Sequence, residues 1–241
     1  MLKSLIDLIF PPLCHCCREF IPDAGAVHLC HACMKTTEEI HSPLCTICGV
    51  PFLTDGRVDH PCGRCLSGSS SYESARAAFT YEGAVRDLIQ RLKYDGRVQA
   101  RRPLSLLTAE HLALFAAETS PDLLVPVPLH ARRIRQRGFN QAILISEILS
   151  EEWRIPLERR LLRRTRWTEP QVNLAAGERA ANVRGAFALA EPKRVKGARV
   201  MLVDDVLTTG STVNECARVL KKGGAAAVYV VTVARVPADI H

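Results

Sequence analysis

The sequence predicts an α/β fold, a mostly parallel sheet covered by helices, preceded by a small cysteine-stapled module. Three observations carry this expectation. Nine of the ten cysteines lie before residue 66. From Ala75 onward, helical and strand patterns alternate, the signature of parallel strands joined through helices. Near the C-terminal end, a buried-strand pattern runs into two acids and a small hydroxyl-rich loop that opens a helix. A chain of 241 residues suffices for one such domain with its own core plus a small module. Its 47% apolar and 24% charged residues are ordinary for a globular protein.

Eight of the early cysteines form four C-x-x-C pairs: Cys14–Cys17, Cys30–Cys33, Cys45–Cys48 and Cys62–Cys65. The gaps of 12 and 13 residues inside the first and second halves suit two knuckles joined by a short hairpin around one tetrahedral ion. A disulfide framework is the rival. No signal-peptide pattern opens the chain, so a reducing, cytoplasmic setting is expected, in which such cysteines hold zinc. Sequential pairing closes each ribbon at the lower loop entropy, whereas cross-bracing would interleave them. Two zinc ions are expected in all, each filled by four thiolates and therefore structural. Gly49 and Gly63 suit the tight turns that aim amides at thiolates. His15, His31 and Cys16 are spare ligands. Zinc should supply most of the folding energy of an arm with so few core residues.

Ser67–Ser71 (SGSSS) reads as a linker. The boundary expected there divides residues 1–70, an N-terminal helix and the zinc arm, from residues 71–241, with separate cores. Met1–Phe10 reads as a short amphipathic helix docking Leu2, Leu5, Ile6 and Ile9, with an interfacial membrane helix as the other reading. No apolar stretch is long enough for a membrane span, so an integral membrane protein is not expected. The net charge of +7 splits into −2 for residues 1–70 and +9 for the rest. Its focus is Arg132–Arg137 and Arg159–Arg166, blocks suited to phosphate-rich ligands or to a solvated basic face.

In chain order, Ala77–Tyr81 reads as a strand and Gly83–Tyr94 as a helix with Val85, Leu88, Ile89 and Leu92 on one face. Pro103–Ala117 reads as a second helix. Leu123–Pro128 is an apolar strand ending at prolines on the sheet rim, and Phe139–Ser150 is helical. Ala198–Val203, Ser211–Lys222 and Ala226–Ala234 form a strand–helix–strand unit.

The stretch Val200–Val213 (VMLVDDVLTTGSTV) carries the chemistry. Asp204 and Asp205 are expected to emerge at the carboxyl end of a buried parallel strand, where open α/β sheets bind ligands. Thr208, Thr209, Gly210, Ser211 and Thr212 then form a loop whose amides, hydroxyls and helix dipole suit an anion. Two carboxylates beside such a cradle suit a sugar phosphate, its hydroxyls taken directly or through Mg²⁺.

This stretch resembles the signature of type I phosphoribosyltransferases. Pro126–Leu144 (PVPLHARRIRQRGFNQAIL), Arg164–Phe187, Leu92–Tyr94 and the four-knuckle arm are similar to the ComF family of competence proteins. The resemblance implies a double zinc ribbon joined to a Rossmann-like, phosphoribosyltransferase-like domain, with a role in DNA uptake and handling. It implies that Asp204 and Asp205, the catalytic candidates, take ribose hydroxyls and Mg²⁺, and that Thr208 through Thr212 hold the 5′-phosphate. Arg132, Arg133 and Arg137 would meet the diphosphate, with Lys93 as a further candidate. Gln171, Asn173, Arg179 and Asn182 would lie in a hood over the site.

Two functional classes follow. One is a protein that binds phosphoribosyl diphosphate with Mg²⁺ and handles single-stranded DNA alongside other competence-machinery proteins. The other is an active pentosyltransferase on an unidentified acceptor. Against the second, Thr208 stands where enzymes acting on 6-oxopurines carry an acid, and Thr cannot exchange that proton at neutral pH. The residues after Thr232 are also few for an acceptor pocket.

Overall fold

The computed structural model describes residues 11–22, 24–52, 58–68, 70–168 and 176–237. The expected helix at Met1–Phe10 lies outside them, as do Gln171 and Asn173. Four strands, β1 (Ser74–Thr80), β2 (Leu123–Pro126), β5 (Arg199–Leu207) and β6 (Ala227–Arg235), form one sheet in the order β1-β6-β5-β2, every pair parallel. The parallel arrangement follows from the intervening helices. Two short strands, β3 (Leu162–Arg164) and β4 (Phe187–Leu189), pair antiparallel beside it.

Strand alternation divides the core into two layers. Met201 and Val203 of β5 join the apolar cluster built on Leu88, Leu104, Ile145 and Leu149. Val200 and Leu202 join the other, with Val213, Cys216, Leu220 and Phe187. The first layer is supplied by α3 (Gly83–Tyr94), α4 (Arg101–His111) and α7 (Gln141–Trp153), the second by α9 (Ser211–Lys222) and the β3–β4 pair. Both faces of β5 are thus covered, which explains its continuous apolar run. Pro126 is tolerated because β2 is an edge strand of this sheet.

Helices α3 and α9 have the expected bounds. Other elements differ. The expected helix over Pro103–Ala117 is α4 and α5 (Ala113–Thr119), broken at Leu112, whose ψ of 13° leaves the helical basin. β5 continues through Leu207 rather than ending at Val203, because β6 is long enough to pair with it as far as Leu207↔Arg235. The acidic pair therefore lies within the paired strand. Arg132–Arg137 lies in the short helix α6 (Ala131–Arg137), started by His130 and ended by Gly138 at φ 88°. Asn140 starts α7 by accepting from the Ala142 amide at 3.0 Å, while its own amide donates to the Val127 carbonyl at 3.0 Å. This anchors α7 to the end of β2.

Separate cores are not observed. Cys14 and Cys16 belong to the same apolar cluster as Val85 and Leu88 of α3. The cysteine-rich arm also lies along the free edge of β1. The Ala75 amide donates to the Ile47 carbonyl at 2.7 Å, Ile40 to Ala78 at 2.9 Å, and Thr80 to Glu38 at 2.8 Å. The seam is close enough to need two glycines. A Cβ on Gly83, at φ 49°, would overlap the Thr36 carbonyl, and one on Gly49, at φ 70°, would overlap that of Ala75. The edge of the sheet is thereby covered rather than left as a template for another chain.

Candidate functional site

The arm gathers its thiols into two sets. Cys14, Cys17, Cys30 and Cys33 have all their sulfurs within 4.8 Å of one another, and so do Cys45, Cys48, Cys62 and Cys65. The sequential pairing is the observed one. Short helices α1 (His31–Met34) and α2 (Gly63–Ser67) start immediately after Cys30 and Cys62. Amides point at the sulfurs: Cys30 N lies 3.4 Å from Cys14 Sγ, and Cys62 N lies 3.2 Å from Cys45 Sγ. Burial pushes the Cys14 thiol up, but the amides of Cys30, Cys17 and Cys16 together hold it down at about 6. Cys45 is likewise held at about 6 against its burial by the amides of Cys48, Cys62 and Ile47. Burial and neighbouring thiols push Cys33 and Cys65 far up. So many sulfurs cannot all ionise this close together without a cation, and the geometry fits a structural zinc in each set.

Of the expected turn glycines, Gly49 has the left-handed backbone. Gly63 does not, since it simply opens α2, and Arg18 takes the left-handed position after the first pair. Cys16 and His15 are outside the sets; Cys16 is buried in the core and His15 stacks on His28 at 5.5 Å.

At the carboxyl end of the sheet, Asp204 and Asp205 have different surroundings. Asp205 is 4% exposed, and its carboxylate lies 2.5 Å from the Lys93 ammonium at the end of α3. Burial raises the Asp205 carboxyl, but Lys93 outweighs it and holds the group below its ordinary range. Lys93 in turn is raised, burial opposing and Asp205 prevailing. Asp204, partly exposed, is pushed well above the usual carboxylate range by burial and by Asp205's charge. Its charge also acts on Cys216 of α9, which packs in the second layer, and on Arg164 of β3. Lys93 acts on both acids, but its ion pair is with Asp205.

The loop after β5 turns at Gly210, whose φ of 78° places it in the left-handed region just before α9. The Thr209 and Ser211 hydroxyls are 2.9 Å apart. Thr208 through Thr212 are all partly exposed and surround the α9 N-terminus. Tyr72, just past the expected linker, packs over Gly210, and the Ser71 amide donates to Asn214 Oδ1 at 2.7 Å. The end of the expected linker, at Ser71, is therefore built into the loop's support.

The basic residues fall into two groups. Arg137 donates to Gln141 Oε1 at 2.6 Å and stacks 5.6 Å from the Tyr94 ring, within reach of Asp205's charge. Arg132 and Arg133 instead lie 4.9 Å and 5.8 Å from the Trp167 ring, which His130 meets edge-on at 5.3 Å. Sequence reasoning singled out neither Trp167 nor Gln141. The signal was an aromatic directly after the arginine block at 159–166. Arg164 is held by Thr168 and lies over Phe187 at 5.3 Å. Arg166 donates to the carbonyls of Asn182 and Arg184, tying the segment after β3 to α8 (Ala176–Val183) and the residue that follows it. The side chain of Arg179 lies outside the described residues.

Residues 5–66 match the double zinc ribbon domain, and residues 114–240 match the phosphoribosyl transferase domain. The chain is 37% identical over 227 residues to DNA utilization protein YhgH of Escherichia coli, covering 92% of this chain and 96% of that protein. It is 35% identical over 213 residues to competence protein F of Haemophilus influenzae, covering 86% and 90%. With competence protein ComFC of Bacillus subtilis the identity is 28% over 217 residues, covering 86% and 84%. Similarity of this degree over nearly the whole of both chains establishes that the chain belongs to the ComF family of competence proteins.

Proposed function

We propose that this protein binds phosphoribosyl diphosphate with Mg²⁺ and handles single-stranded DNA in the cytoplasm during uptake. The observation that carries the reading is the acidic pair on β5 followed by a left-handed Gly210 at the N-terminus of α9. A helix N-terminus lined by hydroxyls takes a phosphate, and carboxylates one strand-end away take sugar hydroxyls and a hard cation. Asp204 is the more open acid and would meet the ligand first. Asp205 would hold it jointly with Lys93, and Thr208 through Thr212 would take the 5′-phosphate. Arg137, beside Asp205, is better placed for the diphosphate than Arg132 or Arg133, whose charge lies over Trp167.

The role in DNA uptake rests on the names of the relatives, with the other proteins of the uptake machinery as partners. No helix among the described residues is long and apolar enough to cross a membrane. Calorimetric titration with phosphoribosyl diphosphate and Mg²⁺ tests the site. Asp204→Asn with Asp205→Asn should weaken binding by about 2–5 kcal/mol, through lost charge-assisted contacts. Unchanged affinity in the double variant places the ligand elsewhere. Diphosphate release across a panel of acceptors tests the second reading, a pentosyltransferase.

A further inference from the structure

Between its two cysteine sets the chain runs along the edge of β1 and brings a third group of ligand atoms together. Glu39 and His41 belong to this segment, and His111 ends α4. One ligand atom from each lies within 4.8 Å of the others, as close as in the thiol sets. Glu39 Oε2 is 3.2 Å from His41 Nε2 and 3.4 Å from His111 Nδ1. The two imidazoles approach at 5.0 Å and 64°.

The His111 ring is held in one orientation. Its Nε2 lies 2.9 Å from the Ile40 carbonyl, and Phe79 packs against the ring at 5.9 Å. A carbonyl oxygen only accepts, so Nε2 carries the proton, and in the neutral ring the lone pair sits on Nδ1, facing Glu39. A carboxylate and an imidazole lone pair are both acceptors, and a cation between them satisfies both. A histidine whose second nitrogen donates to a backbone carbonyl is also how metal-ligating imidazoles are oriented. The backbone is held as well. Ile40 and Thr80 donate across the β1 edge, and the Thr80 hydroxyl donates to Glu38 at 3.1 Å.

We propose that Glu39, His41 and His111 form a third, exchangeable site for a borderline divalent cation, zinc foremost. Two imidazoles and one carboxylate suit zinc, cobalt(II) or nickel(II), whereas Mg²⁺ prefers all-oxygen surroundings. The Glu39 and His41 side chains are 48% and 67% exposed, which leaves coordination positions open to water and lets the ion exchange. Two ligands come from the inter-cluster segment and one from the α/β body. The ion therefore clasps the arm to the sheet edge, apart from both thiol sets and from the loop after β5.

The test uses the full chain with both thiol sets zinc-loaded, dialysed free of loosely held metal. Cobalt(II) and zinc are then titrated separately. Wild type should take up about one further ion per chain. The cobalt form should show weak d–d absorption without new thiolate charge-transfer bands. His41→Ala, at an exposed position, should lose this uptake with an unchanged circular dichroism spectrum, and Glu39→Gln should weaken it roughly tenfold or more. A plain carboxylate–imidazolium ion pair takes up no metal, so absence of uptake by wild type overturns the proposal. Equal uptake by His41→Ala, with the same spectrum, overturns it too. Should His111→Ala fail to fold, the His41 and Glu39 variants still decide.

Discussion

The Lys93 ammonium lies 2.5 Å from the Asp205 carboxylate, so the last turn of α3 neutralises one acid of a pair on β5 that pairs with β6. Both side chains are largely shielded, at 17% and 6% exposure. Removing one partner leaves the other charge buried and unmatched. Lys93→Met should therefore destabilise the fold by about 3–5 kcal/mol, and Lys93→Met with Asp205→Asn by clearly less. Urea denaturation of the two variants compares them, and equal losses would mean that the pair is not coupled.

The continuous core makes zinc loss more than local. Stripping the thiol sets should expose the Ala75 and Thr80 amides, which donate to Ile47 and Glu38 of the arm. Hydrogen exchange before and after strong chelation reads this directly. Protection that persists at both positions would show that the sheet edge stands without the arm.

Gly83→Ala should cost at least ~2 kcal/mol, because the new Cβ meets the Thr36 carbonyl at a left-handed residue. Gly210→Ala should be milder, since its neighbours sit at ordinary contact distances of 3.5 Å or more and only φ is strained. Thermal denaturation ranks the pair; the reverse order would contradict the close seam.

Glu215 accepts from Arg218 at 2.7 Å and 2.8 Å and from the Gly185 amide at 2.7 Å. Arg218 first, and Gly185 against the opposing effect of burial, hold its carboxyl below the ordinary range. The folded value lies below the unfolded one. The stabilisation is therefore complete above about pH 4.3 and fades as pH falls through the folded value. Glu215→Gln should lose about 1.5–3 kcal/mol at neutral pH. The gap should close in acid, and a gap independent of pH would assign the loss to packing.

Single-stranded DNA should compete with phosphoribosyl diphosphate for the basic surface. Each phosphate neutralised contributes about −0.7 to the slope of log affinity against log salt. Replacing Arg132, Arg133 and Arg135 with Ala should flatten that slope by roughly two units if each meets a phosphate. Trp167→Ala should weaken binding with little change in slope, since stacking on an aromatic ring releases no counterions. Fluorescence anisotropy across salt concentrations measures both. An unchanged slope in the triple variant would move the footprint to the arm.

The sequence by itself determined the features that depend on spacing and periodicity. Four C-x-x-C pairs at short intervals favour compact thiol sets, and apolar positions at helical intervals delimit α3 between Gly83 and Tyr94. An apolar run, two acids and a small hydroxyl-rich stretch mark a strand, a turn and a helix start. All of these are local, set within about twenty residues by backbone geometry and loop entropy. The tertiary structure alone decided which distant side chains meet. Lys93 reaches Asp205, Trp167 lies beside Arg132 and Arg133, Cys16 enters the core of α3, and Glu39 and His41 face His111. No periodicity encodes such pairs. Each follows from how the sheet order and the packing of the arm on β1 fold together residues far apart along the chain; burial drives the Lys93–Asp205 and Cys16 contacts, where a charge or a thiol removed from water needs a partner.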